Sequence, residues 1–188
     1  MIREILQYKH PILQSKSEVV IFPLDGNIKR LIQDLLDTVS SIDDNAVGLS
    51  APQIGELKQV FVFRKLYNQN LYDSRKNKTK KNTNIWEVVI NPIITYKSDE
   101  MSTMLEGCLS INKGSIFGEV TRPKIIHIEY FNKRGKQKKI IAKNFMSHVI
   151  QHEIDHLNGI LFLDYIKDFS KLYTIKDLEQ NDTKAKFR

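Results

Sequence analysis

The feature that most restricts this chain is the run His152-Glu153-Ile154-Asp155-His156. On an α-helix, four residues at about 1.5 Å rise each put both imidazoles on one face, one turn apart, where they can grip a single divalent ion. Residues 144–158 read as that helix, with Gly159 in the position that ends it. Five His and ten Glu in 188 residues would produce the motif by chance only about 0.007 times, so coincidence does not account for it.

A third histidine, His148, extends the stripe. The outer pair of the three is about 12 Å apart along a helix, so one ion cannot take them all. Glu153 follows His152 directly, the register in which a glutamate beside the first ligand reaches water at the ion, which selects His152 and His156. His148 is then either a wall of the site or an ordinary histidine at the helix edge. Two ligands underfill a catalytic ion, which usually takes three from the protein. Cys108, in Glu106-Gly107-Cys108-Leu109-Ser110, is the one thiol of the chain, and it reads either as the third ligand or as a small packed side chain.

Around this motif the periodicities alternate between helix and hairpin. Ile28, Leu31, Ile32, Leu35, Leu36, Val39 and Ile42 recur at three- and four-residue spacing, predicting an N-terminal amphipathic helix over 27–42. Residues 46–55 (AVGLSAPQIG) read as a loop or irregular edge, and 59–63 as a strand. Residues 86–96 form a strand interrupted at Asn91-Pro92, and 124–131 another with Ile126, Ile128 and Tyr130 on one face. A turn at 132–135 leads into a strand over 137–142, and the chain beyond Asp164 reads as a polar tail or helix with a disordered end. Hairpins without β-α-β alternation predict an α+β fold, with antiparallel sheets around the helix that carries the motif.

The net charge of +7 invites a nucleic-acid reading until the charges are located. Residues 64–81 carry seven basic groups against one acid and residues 132–143 carry six against none, so the rest of the chain is net negative. Such stretches read first as solvated loops, and second as a weak attraction for an anionic partner such as RNA. Residues 74–84 have five basic and no apolar side chains, a low-complexity insertion of about 65–85 within one domain over 1–188. No apolar run approaches the length of a membrane span, and residues 1–13 carry charges where a signal peptide would be apolar. With a lone cysteine, this points to the cytoplasm, or to an organelle after removal of a transit peptide.

Taken together, GLSAPQ (48–53), EGCLS (106–110) and QHEIDH (151–156), in this order, closely resemble the three motifs of peptide deformylases. The resemblance runs from 10–13 to 159–162. It implies an enzyme that removes the formyl group from the N-terminal formylmethionine of newly made proteins. It also implies that Cys108, His152 and His156 bind the ion and that Glu153 is the general acid and base. Gln53 and the Leu109 N–H would hold the oxyanion. Fe(II) is the implied ion, while two imidazoles and a thiolate would also accept Zn(II), Co(II) or Ni(II).

By the same resemblance, the edges at Val47-Gly48 and Glu106-Gly107 would pair with an N-formylmethionyl peptide as an added strand. Val47, Met104, Phe145, His148 and Val149 are candidates for the methionine pocket, with plain core as the alternative for Phe145 and Val149. Two departures stand out. Ala46 replaces a usual glycine, which would cost about 1 kcal/mol or more at positive φ, and Asn112-Lys113-Gly114-Ser115 replaces a usual proline-glycine. The rival readings are a zinc endopeptidase, which shares H-E-x-x-H but normally completes its site without a thiolate, and a basic ribosome- or RNA-associated protein. Neither basic stretch interleaves aromatics, so sequence-specific nucleic-acid binding is not expected.

Overall fold

The computed structural model describes residues 1–42, 46–65 and 86–178. The insertion expected over 65–85 lies outside the described residues from 66 on, as does the end of the tail from 179.

The first helix, α1 (Gly26–Ser41), starts where the Asp25 carboxylate accepts the Ile28 N–H at 2.8 Å, and it buries Ile28, Leu31, Ile32, Leu35 and Val39. Eight strands follow in chain order: β1 (Gly48–Ser50), β2 (Val60–Arg64), β3 (Trp86–Lys97), β4 (Met101–Gly107), β5 (Ile116–Pro123), β6 (Ile125–Phe131), β7 (Gln137–Lys143) and, near the C-terminus, β8 (Leu172–Thr174). The second helix, α2 (Phe145–Leu157), lies between β7 and β8 and ends at Gly159, whose φ is 73°. A side chain there would strike the Gln14 backbone, so glycine is required by both conformation and space.

The strands form two antiparallel sheets, ordered β1-β2-β3-β6-β7 and β4-β5-β8. β2 shows how the larger one is packed, because its alternate residues enter different cores. Val60 and Val62 join the α1 stripe with Leu49, Val88 and Ile90. Phe61 and Phe63 join Val89, Ile126, Ile128 and Tyr130 against Val149, Ile150 and Leu157 of α2. A third cluster, with Leu13, Ile111, Val120, Leu161 and Phe162, surrounds Cys108.

Most of the expected elements are present within a residue or two, and the differences have physical causes. The interruption at Asn91-Pro92 is a shift of register between Ile90 and Ile93, stabilised by the Asn91 amide, which bonds both the N–H and the C=O of Val20. Residues 46–55, read as a loop or irregular edge, contain the buried edge strand β1 and a 3-10 turn over Ala51–Ile54. Part of the tail beyond Asp164 is β8, which pairs with β5 before a single helical turn at 175–178. β4 and β5 carry no alternating apolar pattern because their buried positions include Glu106 and Arg122, so periodicity passes over them. Among the described residues no helix is long and apolar enough to cross a membrane.

Removing the α1 cap with Asp25→Ala should lower stability by about 1 kcal/mol, read as a lower urea midpoint with an unchanged slope.

Candidate metal centre

Cys108 follows the last residue of β4, and α2 presents His152 and His156 toward it. One donor atom from each lies within 4.8 Å of the others. The Cys108 Sγ is 3.2 Å from His156 Nε2. The sequence left Cys108 open between ligand and packed side chain, and its position beside both imidazoles brings the expected three together. The donors fit a divalent ion of intermediate softness. Among the described residues the buried His156 Nδ1 has no hydrogen-bond partner, so they do not tie that ring elsewhere.

Glu106 organises the other ring. Its Oε2 accepts the His152 Nδ1–H at 3.1 Å, which sets the tautomer and turns the Nε2 lone pair toward the site. Its Oε1 accepts from His148 Nδ1 at 2.8 Å and from Arg122 Nε at 2.6 Å, while Arg122 Nη2 reaches Oε2 at 2.9 Å. Arg122 also donates to Asp155 at 2.6 Å and lies 4.7 Å from the centre of the Tyr165 ring. Burial opposes ionisation of Glu106, but the bonds from His148, His152 and Arg122 win and hold it well below the usual carboxylate range. Arg122 is burdened by burial too, and Glu106 and Asp155 raise it beyond its ordinary value.

His148 is a buried, bonded side chain, with its Nε2 3.0 Å from Ser102 Oγ. It stands behind Glu106 and is not one of the three convergent donors. Burial pushes His156 well below its ordinary value. At His152 burial acts the same way, but bonds to Cys108 and Glu106 outweigh it and raise the ring.

Glu153 is 4% exposed, and its Oε2 has no hydrogen-bond partner among the described residues. Burial raises its pKa to about 7, partly offset by His152, which leaves the carboxyl able to gain or lose a proton near neutrality. It lies against β1 so closely that a Cβ on Gly48 would collide with the carboxylate. Next along the chain, the Gln53 Oε1 accepts both the N–H and the hydroxyl of Ser50 at 2.9 Å. That orients Nε2 toward Ser110 Oγ at 3.3 Å and Cys108 Sγ at 3.6 Å.

The other expected residues divide. Val47, Phe145 and Val149 pack in one apolar cluster, whereas Met104 on β4 belongs to none of the three. β1 and β4 are edge strands of their sheets, so Val47-Gly48 and Glu106-Gly107 both lie on sheet edges. The Glu106 side chain itself is turned inward to the rings. Arg122 and Ser102 escaped the sequence reading, and the only available hint was a charged residue inside an otherwise strand-like run.

The chain matches the family model described as polypeptide deformylase over residues 2–172. It is 35% identical over 179 residues to the peptide deformylase of Fusobacterium nucleatum, covering 95% of this chain and 91% of that protein. It is 36% identical to the peptide deformylase of Bartonella quintana, over 95% and 92%. Among solved structures, peptide deformylase from Ehrlichia chaffeensis superposes with a TM-score of 0.75 at 28% identity, covering 100% of this chain and 98% of that one. A class I type b peptide deformylase from Acinetobacter baumannii with Met-Ala-Ser bound gives 0.73 at 27% identity, over 88% and 99%.

Removing one partner of a buried ion pair strands the others, so Arg122→Ala should cost about 3 to 5 kcal/mol in denaturant unfolding. An effect below 1 kcal/mol would show that Glu106 and Asp155 do not depend on it.

Proposed function

This chain belongs to the polypeptide deformylase family, metal-dependent hydrolases that remove the N-formyl group from nascent peptides, and from that premise we propose how its residues divide the work. Residues 1–188 act as one catalytic domain. Cys108, His152 and His156 hold one divalent ion, of which Fe(II) is the working form and Zn(II), Ni(II) or Co(II) are substitutes. When bound, the ion acidifies water toward neutrality and polarises a carbonyl.

Glu153 takes a proton from the attacking water and later delivers it to the leaving amine as the C–N bond breaks, releasing formate. Its pKa of about 7 suits both duties. Negative charge develops on the formyl oxygen, where the Gln53 Nε2 and the Leu109 N–H donate. Among the described residues nothing accepts from that N–H, which leaves it available. The peptide enters as a strand between Val47-Gly48 and Glu106-Gly107, so recognition rests on main chain and tolerates many sequences. Val47, Phe145 and Val149 line the methionine pocket, with Met104 at its β4 side and His148 behind Glu106.

The observation that carries this reading is the thiolate ligand. Cys108 beside the two helix histidines favours deformylation over the zinc endopeptidase alternative, whose site is normally completed by His, Glu or Asp. The enzyme works in the cytoplasm, or in an organelle after processing. Its basic stretches supply a salt-sensitive attraction for the ribosome and no sequence-specific nucleic-acid binding.

Protein purified anaerobically should release formate from a formyl-Met peptide in proportion to bound iron, and should not cleave an internal peptide bond. Endopeptidase activity without formate release would overturn the assignment. Glu153→Ala should keep the ion and lose about 10² to 10⁴-fold in turnover. Near-normal turnover at saturating metal would remove Glu153 from the chemistry. Cys108→Ser should weaken metal binding and abolish the thiolate charge-transfer band of the cobalt-substituted protein.

A further inference from the structure

Residues 6–8 are stitched to both sides of the site. The Leu6 N–H donates to the Gln53 carbonyl at 2.8 Å, and the Tyr8 N–H donates to the Ser110 carbonyl at 2.7 Å. Between them the half-buried Gln7 side chain uses both ends of its amide. Nε2 donates to the Leu109 carbonyl at 3.1 Å and to the Ile5 carbonyl at 3.1 Å. Oε1 accepts the Lys113 N–H at 3.0 Å. One side chain therefore grips the first and last residues of the segment 109–113.

That segment is held in a costly backbone conformation. Asn112 and Lys113 have φ of 46° and 55°, and Gly114 follows at 80°. Asn tolerates the left-handed region, whereas Lys is disfavoured there. The segment's own bonds are Gly114 N–H to the Ile111 carbonyl at 2.9 Å, Ser115 N–H to the Asn112 carbonyl at 3.2 Å, Asn112 Nδ2 to Ser115 Oγ at 2.6 Å and Ser115 Oγ to the Asn112 carbonyl at 2.7 Å. At the start of the segment the Ile111 N–H closes a turn on the Cys108 carbonyl at 2.9 Å. The Leu109 N–H lies inside that turn, and Gln7 fixes the carbonyl on the far side of the same residue.

We propose that Gln7 is a positioning residue for the formyl-oxygen site: by holding Leu109 and Lys113 together it sets the direction of the Leu109 N–H. This rests on the reading of that N–H as an oxyanion donor. Gln7 touches no reacting atom, and both ends of its side-chain amide bond the turn, so its contribution is made through those hydrogen bonds. An interaction of this kind is felt chiefly in the transition state, where charge on the oxygen is greatest.

The test uses the metal-loaded enzyme and a short formyl-Met peptide. Gln7→Ala should lower kcat about tenfold or more with KM within about twofold, while metal stoichiometry and the cobalt-thiolate band stay as in the parent. Gln7→Glu keeps the acceptor for Lys113 but sets a carboxylate against the Leu109 carbonyl. It should also lower kcat, and it carries the comparison if Gln7→Ala does not fold. Replacing Leu109 by its α-hydroxy acid removes the N–H alone and should lower kcat about 10² to 10³-fold. Adding Gln7→Ala to that ester should change little further, because both act on one donor. If the ester keeps the parent kcat, the Leu109 reading fails and the proposal falls with it. If the ester is slow but the Gln7 variants keep the parent kcat, change KM alone, or add their full effect to the ester, the Leu109 reading stands and Gln7 is not its positioning residue.

Discussion

A carboxylate sealed inside a protein is costly unless its oxygens are saturated, and Glu106, 8% exposed, receives Arg122, His148 and His152 at once. These contacts join β4 and β5 of the smaller sheet to α2. Apolar residues of similar volume would be cheaper to bury, but they could not orient an imidazole. Because Glu106 accepts from His152 Nδ1, the ring can offer only its other nitrogen to Cys108. Arg122 extends the arrangement to Asp155 one turn along the same helix, so the second sheet meets α2 in a single register.

The remaining geometry follows from how α2 is shared. Ile150 and Leu157 face the larger sheet, while His152 and His156 face Cys108, and a helical period of 3.6 keeps these two pairs apart, with Val149 on the boundary between them. The larger sheet also supplies β1, whose Gly48 has no side chain and lets the Glu153 carboxylate lie against the strand. Burial there raises Glu153, while the hydrogen bonds around Glu106 lower it. Two carboxylates a few residues from the same ion site thus hold opposite protonation tendencies, one suited to moving a proton and one to staying charged.

The side of the site that carries Gln53 and Leu109 is built from loops held in place by hydrogen bonds. Ser50 saturates the Gln53 carbonyl oxygen with two donors, which leaves the amide nitrogen to face the thiol. Residues 6–8 then bind the Gln53 backbone and the turn after Cys108. Each strand of this arrangement is weak alone, about 1 kcal/mol net per bond, but the bonds converge on two short segments and restrict both.

Local periodicity was enough to read α1, the helix of His152 and His156, the β6-β7 hairpin and the break at Asn91-Pro92, because each is specified by neighbours within a few residues. The two histidines and Glu153 were legible for the same reason, since helical spacing alone brings them to one side. The order of three short motifs was enough to point to the family. Spacing could not decide between ligand and packed core for Cys108, could not place His148, and gave no sign of Arg122 as the partner of Glu106 or of Gln7 as the clamp on Leu109. Those contacts span 16 residues for Arg122, 42 for His148 and 102 for Gln7. A charged residue on a buried strand face looks, in sequence, like a break in the strand. Only folding brings its counter-charge close enough to make it part of the site.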